Sequence, residues 1–172
     1  MYITEEMRAL VKQWGRTVAS TEPVERGAVR RYAQAIMDQD VAYKEPVPNR
    51  GPTAIAPPLY PMNVFRRGFD ESDLLTERAE DPDFDGLTAD VALGLPALNL
   101  PVMVLLNGGS SVELLRYARH GESVHARSRY LEITEKESRA GPMVVAVIET
   151  EYSGDDGELL IIVQKTLLWR KA

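Results

Sequence analysis

At 172 residues, 44% hydrophobic and 27% charged, the chain is long enough for one substantial core and ordinary for a globular protein. A formal charge of −6 argues against a nucleic-acid surface, and the absence of cysteine excludes disulfides, thiolate metal sites and cysteine nucleophiles. No apolar run is long enough to span a bilayer, and the first residues lack the pattern of a signal peptide, so a cytoplasmic protein with no membrane partner is expected.

Thr4 is placed to cap a helix ahead of Glu5 and Glu6, and Met7, Leu10, Val11 and Trp14 fall at helical spacing, with Gly15 able to close it. A short extended piece over 16–20 follows. Pro23 then opens a second helix whose core face is Val29, Tyr32, Ala33 and Ile36, ending at Asp38-Gln39-Asp40. From 43 to 101 the prolines at 46, 48, 52, 57, 58 and 61 forbid a long regular element. Residues 63–69 allow a short helix, and the acidic run 71–85 reads as an exposed excursion, a solvated insertion or a binding loop.

Val102 to Leu106 is apolar again, Asn107-Gly108-Gly109 interrupts it, and 112–117 reads as a further strand ending in the turn His120-Gly121-Glu122. The last third predicts three consecutive strands over 123–133, 143–152 and 159–169. Ser153-Gly154-Asp155-Asp156-Gly157 makes the tight connection between the last two. The latter two strands are apolar on both sides, so both faces need a cover, from this chain or from a partner. The layout is α+β: one domain over 1–172, with an irregular Pro-rich and acidic excursion at about 44–101.

Few residues stand out chemically. His120 and His125 are too isolated to suggest a metal site, and no metal is expected. Asp38 and Asp40 sit at a helix C-terminus, where the helix dipole disfavours carboxylates, which points to a role beyond stability. Asn107, Gly108 and Gly109 present main-chain amides that a ligand can approach closely, suited to polarising a carbonyl or thioester oxygen.

Several segments, in order, resemble the MaoC-like acyl dehydratase and R-specific enoyl-CoA hydratase family of hot-dog proteins, in its N-terminal-type dehydratase domain. They are Arg31-Tyr32-Ala33-Gln34-Ala35-Ile36-Met37-Asp38, Ala56-Pro57-Pro58-Leu59-Tyr60, and Leu106-Asn107-Gly108-Gly109 through Tyr117 to Gly121-Glu122. The segment from Lys136 to Met143, with Gly141-Pro142, is similar to the family's approach to the next strand.

The resemblance implies a hot-dog fold, an antiparallel sheet wrapped around a long central helix, joined to a second hot-dog unit as a homo- or heterodimer. It implies hydration or dehydration of an acyl thioester carried on coenzyme A or a carrier protein, with no further cofactor. The family's motif Gly-Asp-x-Asn-Pro-x-His supplies an Asp–His pair that activates water. Over residues 37–43, Asp38 keeps the acid, Asp40 replaces the Asn, Val41 replaces the Pro, and Tyr43 stands where the His should be. A tyrosine, with an ordinary pKa near 10, is a poor base at neutral pH.

Asp38 and Tyr43 are therefore the candidate catalytic positions, Asn107, Gly108 and Gly109 the candidate substrate-binding ones. The chain resembles the tunnel-shaping subunit of a heteromeric dehydratase, its histidine supplied by the partner. Arginines 66, 67, 116, 119, 127 and 129 are candidates for the coenzyme's phosphates. Three alternatives remain: a non-catalytic acyl-CoA-binding hot-dog homodimer; a hot-dog thioesterase in which Asp38 or Asp40 directs water; and a cone-shaped α+β fold of the polyketide-cyclase type, with Tyr32, Asp38 and His125 facing a pocket.

Overall fold

A computed structural model of the chain describes residues 2–65, 71–72, 74–83, 93–98, 100, 103–139 and 141–171. Its frame is a five-stranded antiparallel sheet of β1 (Val18–Ala19), β2 (Met103–Leu114), β3 (His125–Ser138), β4 (Gly141–Ser153) and β5 (Leu159–Lys171), in the order β1-β3-β4-β5-β2. The three expected C-terminal strands are present and somewhat longer than their sequence pattern. The expected tight connection between the last two is also there, with Gly157 at φ 78°.

Cross-strand register collects the apolar side chains of these strands on one face. Tyr130 lies opposite Ile148, Ala146 opposite Leu167, and Tyr152 opposite Ile161, and all six are buried. A bulge between Tyr130 and Glu132 brings Ile133 back to that face, which strict alternation would have denied it. Helix α2 (Arg26–Ala35) covers one end through Val29 and Ala33, packed with Val124, Ala126, Tyr152 and Ile161. Helix α1 (Glu5–Ala9) covers the other with Ile3 and Met7, joined by Leu98 and Leu100 over Tyr130, Ile148, Leu167 and Trp169.

The expected long central helix is not found among the described residues. The helix on the sheet is α2, ten residues and ~15 Å long, against strands of ~40 Å. It stops because Met37 turns left-handed at φ 57°. Beyond it the prolines admit only 3₁₀ turns, at Val41–Tyr43 and Tyr60–Asn63, and a four-residue helix, α3 (Leu74–Glu77). Ile36, expected in the core, caps the helix and is 46% exposed. The expected helix over 63–69 lies largely outside the described residues. In the acidic excursion, residues 76–83 are exposed, as expected.

The first helix is also shorter than its spacing suggests. Thr4 caps it by accepting from the Met7 N–H at 3.2 Å, but Lys12 at φ 66° breaks it, and Val11 and Trp14 bridge to Tyr130 and Arg129 in extended chain. Gly15 is not its cap: its N–H donates to the Ser128 carbonyl at 2.8 Å. The apparent pair of strands around Asn107-Gly108-Gly109 is one strand, β2, with a bulge at that point. Gly109 takes φ 111° and the Asn107 side chain accepts from the Gly109 N–H at 3.0 Å.

On the opposite face of β3 and β4, paired charges lie across the strands. Arg127 pairs with Glu151 at 2.7 Å, Arg129 with Glu149 at 2.5 Å, and Gln164 donates to Glu149 at 2.9 Å. The Trp14 ring lies against both guanidinium groups at 4.3 Å. Burial pushes the Glu149 carboxyl up, but Gln164 and Arg129 outweigh it and hold it below its ordinary value.

Two predictions follow from these contacts. Gly15 and Gly94 cross backbone to backbone: a methyl at Gly15 would sit 2.5 Å from the Gly94 carbonyl oxygen, and one at Gly94 would strike the Arg16 carbonyl. Gly15→Ala is expected to destabilise by about 1–3 kcal/mol, several degrees in a thermal melt, while Gly27→Ala leaves the melt unchanged or raises it. Glu149 has a folded pKa below its unfolded one, so the stability from its ionisation is complete above about pH 4.5 and lost as pH falls through the lowered value. Glu149→Gln should be about 1–3 kcal/mol less stable at pH 7, and its melting temperature should fall less steeply than the wild type's between about pH 5 and 3.

Candidate functional site

The end of α2 builds the site. The Met37 N–H donates to the Gln34 carbonyl at 3.2 Å and the Asp38 N–H to the Ala33 carbonyl at 3.0 Å. That paired closure normally places glycine at the left-handed position, where a side chain costs roughly 1–2 kcal/mol. Here it is Met37, 87% exposed. The reversal throws Asp38 back over the first residues of the next turn.

Asp38 is then held from two sides. One carboxylate oxygen accepts from the Asp40 N–H at 3.2 Å, the other from the Tyr43 hydroxyl at 2.8 Å. Tyr43 is buried, and burial first, then the Asp38 carboxylate, raises its pKa well above the ordinary value. It is a committed donor. Asp40 caps the Val41–Tyr43 turn through the Ala42 N–H at 2.9 Å and pairs with Arg50 at 2.7 Å. The Ala42 N–H lowers its pKa most, and Arg50 adds to that against burial. Behind the turn, the Ile55 N–H donates to Ala42 and the Ala56 N–H to Ala118, tying the Ala-Pro-Pro segment to the chain that follows β2.

Beside this turn lies a cavity of about 630 Å³, within the range of small-molecule sites. Helix α2 contributes Arg26, Gly27, Arg30, Ala33 and Gln34 to its wall. Residues 37–40 form its end, and Tyr43 and Lys44 close it.

The structure thus brings Asp38 and Tyr43 together, the two positions that the resemblance of residues 37–43 to the family motif singled out. It does not bring Asn107, Gly108 or Gly109 to the same cavity: they lie on the edge strand, with the Asn107 side chain spent on the Gly109 amide. His120 is half-buried and its pKa is lowered, mainly by burial; its Nε2 has no hydrogen-bond partner. His125 faces Asp155 at 3.8 Å and lines a separate, smaller cavity of about 270 Å³. Among the described residues no cluster of His, Cys, Asp or Glu is arranged to hold a metal ion, and no helix is long and apolar enough to cross a membrane.

Of the arginines singled out from sequence, Arg116, Arg119, Arg127 and Arg129 do not line the main cavity either. Arg116 is held by Glu122 at 2.7 Å, Asp156 at 3.0 Å and Glu158 at 3.3 Å, while Arg127 and Arg129 belong to the charge ladder. Arg66 and Arg67 lie outside the described residues. The cations at the cavity are Arg26, Arg30 and Lys44. Their sequence signal was the four-residue spacing of Arg26 and Arg30 along one side of α2.

An antiparallel sheet of this order, with a short helix packed on one face, is that of the hot-dog fold. The chain belongs to the family described as FAS1-like, dehydratase domain region, whose model matches residues 12–163. Comparison with curated proteins gives no match.

Among solved structures, the chain is similar to one from the ChsH1–ChsH2 complex of Mycobacterium tuberculosis, with a TM-score of 0.64 at 14% identity over 90% of this chain and 83% of that one. A chain of the C-terminally truncated HadBC (3R-hydroxyacyl-ACP dehydratase) complex from the same organism gives 0.54 at 16% identity, over 90% and 95%. The MaoC-like dehydratase of Rhodospirillum rubrum gives 0.55 at 18% identity, over 92% and 93%. At these identities the likeness is one of fold.

The Asp38–Tyr43 contact is open to a double-mutant cycle in urea. Tyr43→Phe should cost about 1–3 kcal/mol by removing a charge-assisted hydrogen bond, and it should cost much less in an Asp38→Asn background. Additive losses would mean the two side chains are not coupled.

Proposed function

We propose that this chain is one component of an acyl-thioester hydratase or dehydratase, shaping the substrate channel while a second hot-dog subunit supplies the catalytic histidine. The observation that carries the reading is the Asp38–Tyr43 hydrogen bond at 2.8 Å, at the position where the family motif that residues 37–43 resemble has its Asp–His pair. Hydration needs a base that takes a proton from water as the hydroxyl adds to the β-carbon, and an acid that delivers a proton to the α-carbon. Tyr43 stays protonated and its proton is directed at Asp38, so it cannot be that base. The Asp38 carboxyl can hold a water through its oxygens. The chemistry is acid–base throughout, and the thioester of coenzyme A or a carrier protein is substrate, so the reading calls for no cofactor.

The edge of the sheet supports a partner. Strand β2 is twelve residues long with no described strand on its outer side, and Val104, Leu106, Val112 and Leu114 are each more than a third exposed. A long apolar edge of this kind is an aggregation hazard unless something covers it. Two of the similar chains, those of ChsH1–ChsH2 and HadBC, come from complexes.

Purified alone, the chain is expected to hydrate crotonyl-CoA negligibly, and to acquire activity when co-expressed with a companion hot-dog chain bearing an intact Asp–His turn. Strong hydration by the chain alone, abolished by Asp38→Asn, would overturn the reading. Stable homodimers that bind acyl-CoA without turnover, with no companion co-purifying, would replace it with a binding role. Release of free thiol would point to a thioesterase.

A further inference from the structure

We infer that Arg26 and Arg30 form a subsite for the phosphate of a 4′-phosphopantetheine arm, the group that coenzyme A and acyl-carrier proteins share, laid along α2 with its thioester end toward Asp38. The inference rests on the acyl-thioester reading and assigns it a place on this chain.

Arg8, Arg50, Arg116, Arg127 and Arg129 each have a carboxylate within 4 Å. The chain has 26 acidic residues to 20 basic ones, so an unmatched cluster of cations runs against the overall balance. Arg26, Arg30 and Lys44 line one cavity, and none has an ion-pair partner among the described residues. Both carboxylates of the cavity are engaged elsewhere, Asp40 with Arg50 and the Ala42 N–H, Asp38 with Tyr43 and the Asp40 N–H. An incoming anion would therefore meet free guanidinium groups, whose fork suits a phosphate.

Spacing sets the shape of the ligand. Arg26 and Arg30 stand one turn apart on α2, ~6 Å along its axis, and Gln34 follows one turn later on the same cavity wall. Arg26 lies ~15 Å along the axis from Ile36, just before the turn that carries Asp38. A compact anion would fill one end of such a groove. A thin, flexible arm with a terminal phosphate fills all of it. The charges also fix its direction: the phosphate is drawn to the arginines and repelled by Asp38, so the neutral acyl thioester takes the acidic end.

The test uses the full chain with any subunit that co-purifies, titrated by calorimetry with coenzyme A, with phosphate-free pantetheine, and with apo- and holo-acyl-carrier protein. Arg26→Glu/Arg30→Glu should weaken coenzyme A or holo-carrier binding by at least about tenfold and flatten its salt dependence, leaving pantetheine within about twofold. Arg8→Glu, a charge change on the surface of α1, should alter neither, and thermal melts confirm that each variant is folded.

A charge-sensitive holo-carrier signal without one for coenzyme A identifies the carrier as the source of the arm; the reverse identifies the coenzyme. If coenzyme A or holo-carrier binds the wild type but the double reversal changes affinity less than about threefold, the subsite is wrong and the acyl-thioester reading survives. If neither binds more tightly than pantetheine, both fall.

Discussion

One apolar sheet face ~40 Å long has to be buried, and the helix available to bury it is ~15 Å long. That mismatch governs the rest of the molecule. Helix α2 shields the end around Ala126, Tyr152 and Ile161, and the other end is closed by two pieces with little regular structure, the N-terminal segment and the chain at 93–98 with Leu100. Those pieces hold because their backbones cross at Gly15 and Gly94, and because the Tyr130 hydroxyl, fully inside, donates to the Pro96 carbonyl at 2.8 Å. Buried backbone in irregular segments must find such partners, since there is no ladder to supply them.

The same short helix makes the site. A helix that ends in the middle of the structure exposes its last carbonyls, and here a left-handed methionine closes them while turning Asp38 toward Tyr43. The turn is over-determined: Asp38 and Asp40 each bond to a backbone N–H two residues on, Arg50 holds Asp40, and Tyr43 is buried beneath. A loop tied so many ways is rigid, which suits a channel wall. The elements that make it rigid also occupy the groups that would otherwise do chemistry.

Electrostatics divide the molecule in two. On the outer face of β3 and β4, arginine and glutamate pair across the strands, using Trp14 as a packing surface. At the far end of the β4–β5 hairpin, Arg116 gathers three carboxylates against Gly154, where a methyl would strike Glu122. Each arginine of these clusters meets at least one carboxylate. Along α2, Arg26 and Arg30 line the cavity without an ion-pair partner among the described residues.

Much of this was written in local pattern. Alternation and β-branched runs fixed the three C-terminal strands, Thr4 marked a helix start, and the 153–157 turn was explicit in its residues; Pro23 foretold a helix that in fact begins three residues later at Arg26, and Asp38 and Tyr43 were put on one turn by the family motif that residues 37–43 resemble. What local pattern could not supply was length and destination. Leu10, Val11 and Trp14 keep helical spacing, yet their burial is achieved in extended chain against β3, because tertiary contacts outweigh propensity over so few residues. The Asn107-Gly108-Gly109 step reads equally as a turn or a bulge, and only the unbroken pairing with β5 on both sides decides for the bulge. Which cations line the cavity was likewise undecidable from sequence, since that depends on how the helix and the chain after it are assembled.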